Sequence, residues 1–250
     1  MALWVQAGLW GLLGGGALVG GALIAWFVQV PRTVVASVMA FGAGVLISAL
    51  AFDLVDDAEK SGGLQATFFG FLAGALAYVV GNLLLSRRGA SHRKSAGEDQ
   101  MSESEQAGSG TAIALGALLD GVPESAALGL SLLTGEGVGI AVLAAILISN
   151  LPEGLSSAAG MKANGRSARY VFGVWISIAL ACGVAAALGC LLLDDASPQT
   201  VAWITALAAG AILAMVADTM IPEAFKETQV YTGLIATLGF IVAFAISRSA

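Results

Sequence analysis

The chain has 250 residues, of which 58% are hydrophobic and 11% charged, and it carries a formal net charge of −6. Soluble domains carry about 25% charged residues, and a chain of this length has too little interior to hide so much apolar surface from water. The composition therefore excludes a water-soluble enzyme, and no basic footprint points to nucleic acid. It favours an all-α, polytopic membrane protein.

Eight stretches are long and apolar enough to cross a bilayer, which takes about 20 predominantly apolar residues. The expected spans are residues 3–28, 34–56, 64–85, 111–133, 138–160, 170–193, 201–222 and 230–247. The first span has no basic residues in front of it and is longer than a signal-peptide core, so we interpret it as retained. Residues 86–110 are polar and rich in Ser and Gly, which predicts a flexible cytoplasmic loop.

The basic residues predict the orientation of these spans. If the N-terminus lies outside, nine of the eleven Lys and Arg residues fall in inside loops, and only Lys60 and Arg248 fall outside. The outside loops instead carry acidic residues such as Asp56 and Asp194. Because inside loops are enriched in Lys and Arg, we expect a cell-membrane protein with both termini outside.

Two internal repeats are visible in the sequence. Shifting the chain by 166 positions places Asp57 on Glu223 and Lys60 on Lys226, so the second span resembles the seventh. These two spans run in opposite directions, which is the pattern of an inverted repeat. A shift of 29 positions places Glu124 of the fourth span on Glu153 of the fifth. The expected layout is three helices, a central pair and three helices.

Acidic residues within membrane spans are costly and are functional by default. Five lie well inside the expected spans and a sixth at the edge of the seventh: Asp53, Asp120, Glu124, Glu153, Asp218 and Glu223. Every Lys and Arg lies in a loop or at a helix end. Carboxylates without a basic partner in their span indicate a cation from solution, either a metal ion or protons.

The fourth and fifth spans carry the same spacing of polar residues. Asp120 and Glu124 are four residues apart and share one helix face, as do Ser149 and Glu153, with Asn150 beside them. In each span a proline directly precedes the glutamate. Proline frees a backbone carbonyl one turn earlier, and interrupted helices are where transporters bind ions. We therefore expect these two spans to form an oxygen-rich cation site.

Two motifs, LLDGVPESAALGL and ISNLPEGLSSAAG, resemble the paired HNxPEG-type signatures of the ZIP (Zrt/Irt-like) metal transporters. FGAGVLISALAFDLVDDA and AAGAILAMVADTMIPEA resemble that family's second and seventh spans. The resemblance implies uptake of divalent transition metals, usually zinc, into the cytoplasm. It implies an eight-helix 3+2+3 bundle with the metal site between spans four and five. In many members, spans one, four, five and six shift against the others.

The chain departs from the family at two expected ligands. Asp120 and Ser149 stand where the family has histidines, whereas Glu124, Asn150 and Glu153 match. These five residues are the expected metal ligands, and their donors are all oxygen. Because carboxylate and carbonyl ligands suit harder ions, manganese or iron stays open beside zinc. Three further acids are expected along the transport pathway: Asp53, Asp218 and Glu223.

Two alternatives remain open. A divergent ZIP-like protein could sense metal or carry another substrate. An intramembrane aspartyl protease could use Asp53 and Asp218, although the GxGD motif of that family is missing. For the transporter we expect no enzymatic activity and no tightly bound cofactor, with a divalent metal cation as the transported substrate. The expected partners are that ion, the lipid bilayer and a second copy of the chain in a homodimer, without nucleic acid.

Overall fold

The computed structural model describes residues 1–96, 99–102, 104–134 and 139–249. Within these ranges the regular structure is entirely helical, which confirms the all-α class of a polytopic membrane protein. The α-helices are α1 Leu3–Phe27, α2 Arg32–Ala49, α3 Val55–Leu85, α4 Ser109–Ser131, α5 Ile140–Ala163, α6 Ala168–Leu193, α7 Pro198–Met215, α8 Ile221–Thr228 and α9 Thr232–Ser249.

The internal repeat extends to the boundaries of the helices. Helices α2 and α7 have 18 residues each and begin 166 positions apart. Each runs directly into a π-helical turn, Leu50–Leu54 after α2 and Val216–Met220 after α7, again at the same offset. The two halves of the chain therefore repeat a local backbone distortion as well as a pattern of small residues.

The chain breaks at equivalent points in both halves. Gly63 interrupts α3 with φ 78° and ψ 169°, and Gln229, 166 positions later, ends α8 with φ 45° and ψ −121°. Gly63 lies between the second and third expected spans, and Gln229 lies between the seventh and eighth. Six helical segments of the described chain are long and apolar enough to cross a membrane, and the two longest, of 59 and 52 residues, contain these breaks. Eight crossings remain a prediction.

The helices pack in two groups. Helix α1 packs against α5 and α6, and α4 packs against α6. Helix α2 packs against α8 and α9, and α3 packs against α7. Helices α1, α4, α5 and α6 therefore form one group and the remaining helices the other. The groups meet where α5 contacts α2 and where α4 contacts α3 and α7, so the paired motifs of α4 and α5 lie close to this boundary.

Large apolar side chains cover the outside of the bundle. Leu76 of α3, Leu180 of α6 and Leu234 of α9 are each more than half exposed. Polar and charged side chains such as Asp120 and Glu153 are instead buried. This distribution is the reverse of a soluble domain and suits a bundle whose surface contacts lipid.

Candidate metal site

Helices α4 and α5 each carry a proline directly before a glutamate, and both helices continue through it. Pro123 lies inside α4 and Pro152 inside α5. Because proline has no amide hydrogen, the carbonyl oxygens of Leu119 and Ile148 lose their usual helical donors. Leu119 directly precedes Asp120 in the chain, and Ile148 directly precedes Ser149, so each freed carbonyl is next to a residue expected to bind metal.

Three carboxylates of α4 and α5 are buried, and two of them contact the ammonium group of Lys94. Asp120, Glu124 and Glu153 expose only 2%, 1% and 3% of their surface. Lys94 Nζ lies 2.7 Å from Glu153 Oε2 and 3.4 Å from Asp120 Oδ2. Among the described residues, neither carboxylate oxygen of Glu124 has a hydrogen-bond partner, and Glu124 lies about one helical turn after Asp120 on α4. The structure thus brings all three acids into one cluster.

The Asp120 carboxylate is also held by a buried guanidinium. Arg93 donates from Nε to Asp120 Oδ2 at 2.9 Å and from Nη2 to Oδ1 at 2.8 Å. Tyr78 Oη donates to Asp120 Oδ1 at 2.7 Å, and Arg93 Nη1 donates to Asn82 Oδ1 at 2.8 Å. A two-pronged Arg–carboxylate pair of this kind is among the stronger polar contacts in proteins. Arg93 therefore joins α3 to α4 through Asp120.

Ser149 and Asn150 are buried but make other contacts. Ser149 Oγ donates to the Ile146 carbonyl of its own helix at 3.1 Å. Asn150 Nδ2 donates to the Gly14 carbonyl of α1 at 3.0 Å, which leaves its side-chain carbonyl oxygen as an acceptor. The Ser149 and Asn150 contacts thus anchor α5 locally and against α1, and neither contact involves a carboxylate of the cluster.

The three expected pathway acids lie apart from this cluster. Asp53 lies in the π-helical turn after α2 and accepts a hydrogen bond from Ser247 Oγ of α9 at 2.7 Å. Asp218 is exposed in the π-helical turn after α7. Glu223 of α8 pairs with Lys226 at 2.9 Å. Asp53 is therefore bonded to a serine and Glu223 to a lysine, and neither contact joins two of the pathway acids.

A small cavity lies on the predicted cytoplasmic side of the cluster. Its walls come from α2, α8, Ser156 of α5 and the loop before α4, and they include Ser95, Asp99 and Lys226. Lys226 Nζ donates to Asp99 Oδ2 at 3.3 Å, and this bond holds the pKa of the Asp99 carboxyl below its usual range. Residues of the loop before α4 therefore form part of the wall of this cavity.

Sequence reasoning missed the residues that neutralise the cluster. Arg93 and Lys94 belong to the predicted flexible loop, yet they expose only 2% of their surface. Tyr78 and Asn82 left a signal, since they are polar residues four positions apart in an apolar span. Within the described ranges, no group of three or more His, Cys, Asp or Glu side chains has the arrangement of a metal site. In this structure the basic side chains of Arg93 and Lys94 form ion pairs with the carboxylates of Asp120 and Glu153.

Comparison with known proteins adds independent evidence. The model of the ZIP zinc transporter family matches residues 81–247, which include α4, α5 and the carboxylate cluster. A curated Arabidopsis thaliana protein named "Putative zinc transporter At3g08650" is 28% identical over 191 residues. The match covers 75% of this chain and 29% of that protein, so the chain spans about three tenths of the relative's length. With most of the chain matched and its helices arranged as described, this membrane protein belongs to the ZIP zinc transporter family.

Proposed function

We propose that the protein carries divalent transition-metal cations, zinc first among them, across the cell membrane into the cytoplasm. The observation that carries the proposal is Glu124, a carboxylate only 1% exposed whose two oxygens have no hydrogen-bond partner among the described residues. Burying such a group without a partner is costly. A cation bound between Glu124 and Glu153 would remove that cost.

The proposed ligands are residues of α4 and α5. Glu124, Glu153 and Asp120 supply negative charge, and Asn150 supplies the amide oxygen left open by its bond to Gly14. Ser149 is the weakest ligand, because a neutral hydroxyl binds a divalent cation poorly beside carboxylates. The donors are all oxygen, which also suits manganese. Along the route, Asp53 lies toward the outside, and Asp218 and Glu223 lie toward the cytoplasm.

Metal flux into proteoliposomes tests this function. We expect the purified chain to take up zinc, with manganese, iron, cobalt and cadmium compared at equal concentration. Glu124→Gln and Glu153→Gln should each lower zinc uptake about tenfold or more, because each removes a buried charge at similar volume. Glu59→Gln, at an exposed outside position, is the matched control and should transport normally. Normal uptake by both site variants would contradict the site, and no uptake of any metal by the parent would contradict the function.

A further inference from the structure

We propose that Arg93 and Lys94 are tethered counter-cations, which neutralise the carboxylate cluster while it is empty and which the incoming metal displaces. The inference rests on the proposed function and adds a regulator to the same site. It applies to residues 91–96, the inserted segment, which enters the bundle from the predicted cytoplasmic side. The segment places the guanidinium group of Arg93 and the ammonium group of Lys94 against two of the acids proposed to bind metal.

The charges make this exchange balanced. Asp120, Glu124 and Glu153 carry three negative charges when ionised, and Arg93 with Lys94 supplies two positive ones. If one divalent cation replaces both side chains, the net charge of the cluster does not change. A divalent cation added beside both would leave a positive charge in a buried site, which is strongly unfavourable. Metal and inserted segment therefore compete.

The bundle is shaped to hold the inserted segment. Gly116 of α4 leaves room for Arg93, because a Cβ at this position would lie 2.5 Å from Arg93 Cδ. A Cβ at Gly160 of α5 would overlap the Ser95 carbonyl oxygen and the Gln100 side chain. The glycines of both helices thus leave the space, or seat, that the inserted segment occupies.

Polar contacts fix the segment in that seat. Ser156 Oγ of α5 donates to the Lys94 carbonyl. Gln100 Nε2 donates to the Ser95 carbonyl at 2.9 Å and to the Ser157 carbonyl of α5 at 3.0 Å. Gln100 is only 1% exposed. These contacts hold the backbone of the segment independently of the carboxylates, so docking can be weakened without changing a proposed ligand.

Displacement of the segment would also open the site toward the cytoplasm. Ser95 and Asp99 line the predicted cytoplasmic cavity, and Lys94, the residue before Ser95, lies 2.7 Å from Glu153 Oε2. Arg93 links α3 to α4, which belong to the two different helix groups. Release of the segment would therefore uncover the carboxylates and remove a bridge across the boundary between the groups.

Equilibrium zinc binding to the purified full chain tests the competition. Lys94→Gln removes the competing charge, so we expect the dissociation constant for zinc to fall about tenfold or more. Lys60→Gln, an exposed lysine paired with Asp56, is the matched control and should bind as the parent does. Unchanged or weaker binding in Lys94→Gln would overturn the inference. Where the parent itself neither binds nor transports zinc, the proposed function fails instead.

A second variant covers the case in which Lys94→Gln does not fold. Gln100→Ala removes the anchors that Gln100 provides to the inserted segment and leaves every proposed ligand in place. It should also tighten zinc binding, whereas Gln106→Ala, at a half-buried glutamine of the same loop bonded to the Arg87 carbonyl, should not. Equal zinc affinity in the two glutamine variants would count against the inference.

Hydrogen exchange gives a readout that a purely structural salt bridge would not change. In the parent, saturating zinc should increase amide exchange several-fold in peptides covering residues 91–96, because the segment leaves its seat. Glu124→Gln should show no such zinc-dependent increase. Slower exchange of these amides on zinc binding would mean that segment and metal bind together, which contradicts displacement.

Discussion

Glu124 and Glu153 occupy matching positions after a proline, but their partners in the resting structure differ. Glu153 is paired with Lys94 at 2.7 Å, whereas Glu124 has no hydrogen-bond partner among the described residues. We expect Glu153→Gln to destabilise the metal-free protein by roughly 1–3 kcal/mol, because it leaves a buried ammonium with a weaker partner. Glu124→Gln should leave stability unchanged or raise it. Thermal unfolding in detergent measures both, and an equal loss in the two variants would refute the asymmetry.

Tyr78 supports the pair that Arg93 forms with Asp120. Its hydroxyl donates to Asp120 Oδ1 and accepts from Arg93 Nη2, each at 2.7 Å. Tyr78→Phe removes both bonds while keeping the ring, so we expect a loss of about 1–2 kcal/mol. Tyr231→Phe is the control, since Tyr231 is 66% exposed. The comparison uses melting temperatures without metal, and similar values for the two variants would contradict the role of Tyr78.

The sequence identified the three buried acids as candidates but not the basic residues that contact them, and the role of these acids as metal ligands stays a prediction. Asp120, Glu124 and Glu153 follow from the cost of acids in a membrane span, and that argument needs only helical spacing. Arg93 and Lys94 could not be placed, because a charged, Ser-rich segment is normally solvated. Its burial depends on the space at Gly116 and Gly160, which are unremarkable among the 33 glycines of the chain.

At the scale of helices, the repeat creates two equivalent close contacts. A Cβ at Gly44 of α2 would overlap the Ala236 carbonyl oxygen of α9, and a Cβ at Gly210 of α7 would overlap the Phe71 carbonyl oxygen of α3. Gly44 and Gly210 are 166 positions apart. Because small residues let membrane helices approach closely, both contacts follow from the same sequence pattern, which explains why the repeat was predictable.

These contacts predict matched destabilisation. Gly44→Ala and Gly210→Ala should each cost about 1–3 kcal/mol, since the backbones of two helices must separate. Gly173→Ala in α6 is the control, because a Cβ there would meet nothing within 4 Å. Alanine at this helical position should be neutral or favourable by about 0.5–1 kcal/mol. Thermal unfolding of the three variants measures these changes in stability. A loss in Gly173→Ala as large as in the other two would show that the losses do not come from close helix contacts.

At the scale of the whole molecule, the closest glycine contacts lie within the helix groups. Gly154 of α5 approaches the Leu18 carbonyl of α1, and Gly74 of α3 approaches the Leu207 carbonyl of α7, so closely that a Cβ would overlap each oxygen. Between the groups, a Cβ at Gly42 would keep 3.1 Å from Ser149 Cα. This looser boundary suits the expected shift of α1, α4, α5 and α6 as one body.

The orientation of the molecule has a direct test. Ala2→Cys should react with a membrane-impermeant thiol reagent added to intact cells, and Ser91→Cys should react only after the cells are opened. Ser91 is exposed in the structure, so lack of outside labelling would report its side of the membrane. The parent is the control because Cys182 and Cys190 are buried. Outside labelling of Ser91→Cys would reverse the topology and, with it, the direction of uptake.

The paired breaks at Gly63 and Gln229 place different residues at the same corner of the repeat. One half has glycine at this corner, whereas the other has a glutamine held at φ 45° and ψ −121°. Residues with a Cβ are strained by about 1–3 kcal/mol in such sparsely populated regions. Placing the glycine of the first half at the corner of the second, as Gln229→Gly, should therefore raise the melting temperature of the protein. The repeat thus makes each half a template for engineering the other.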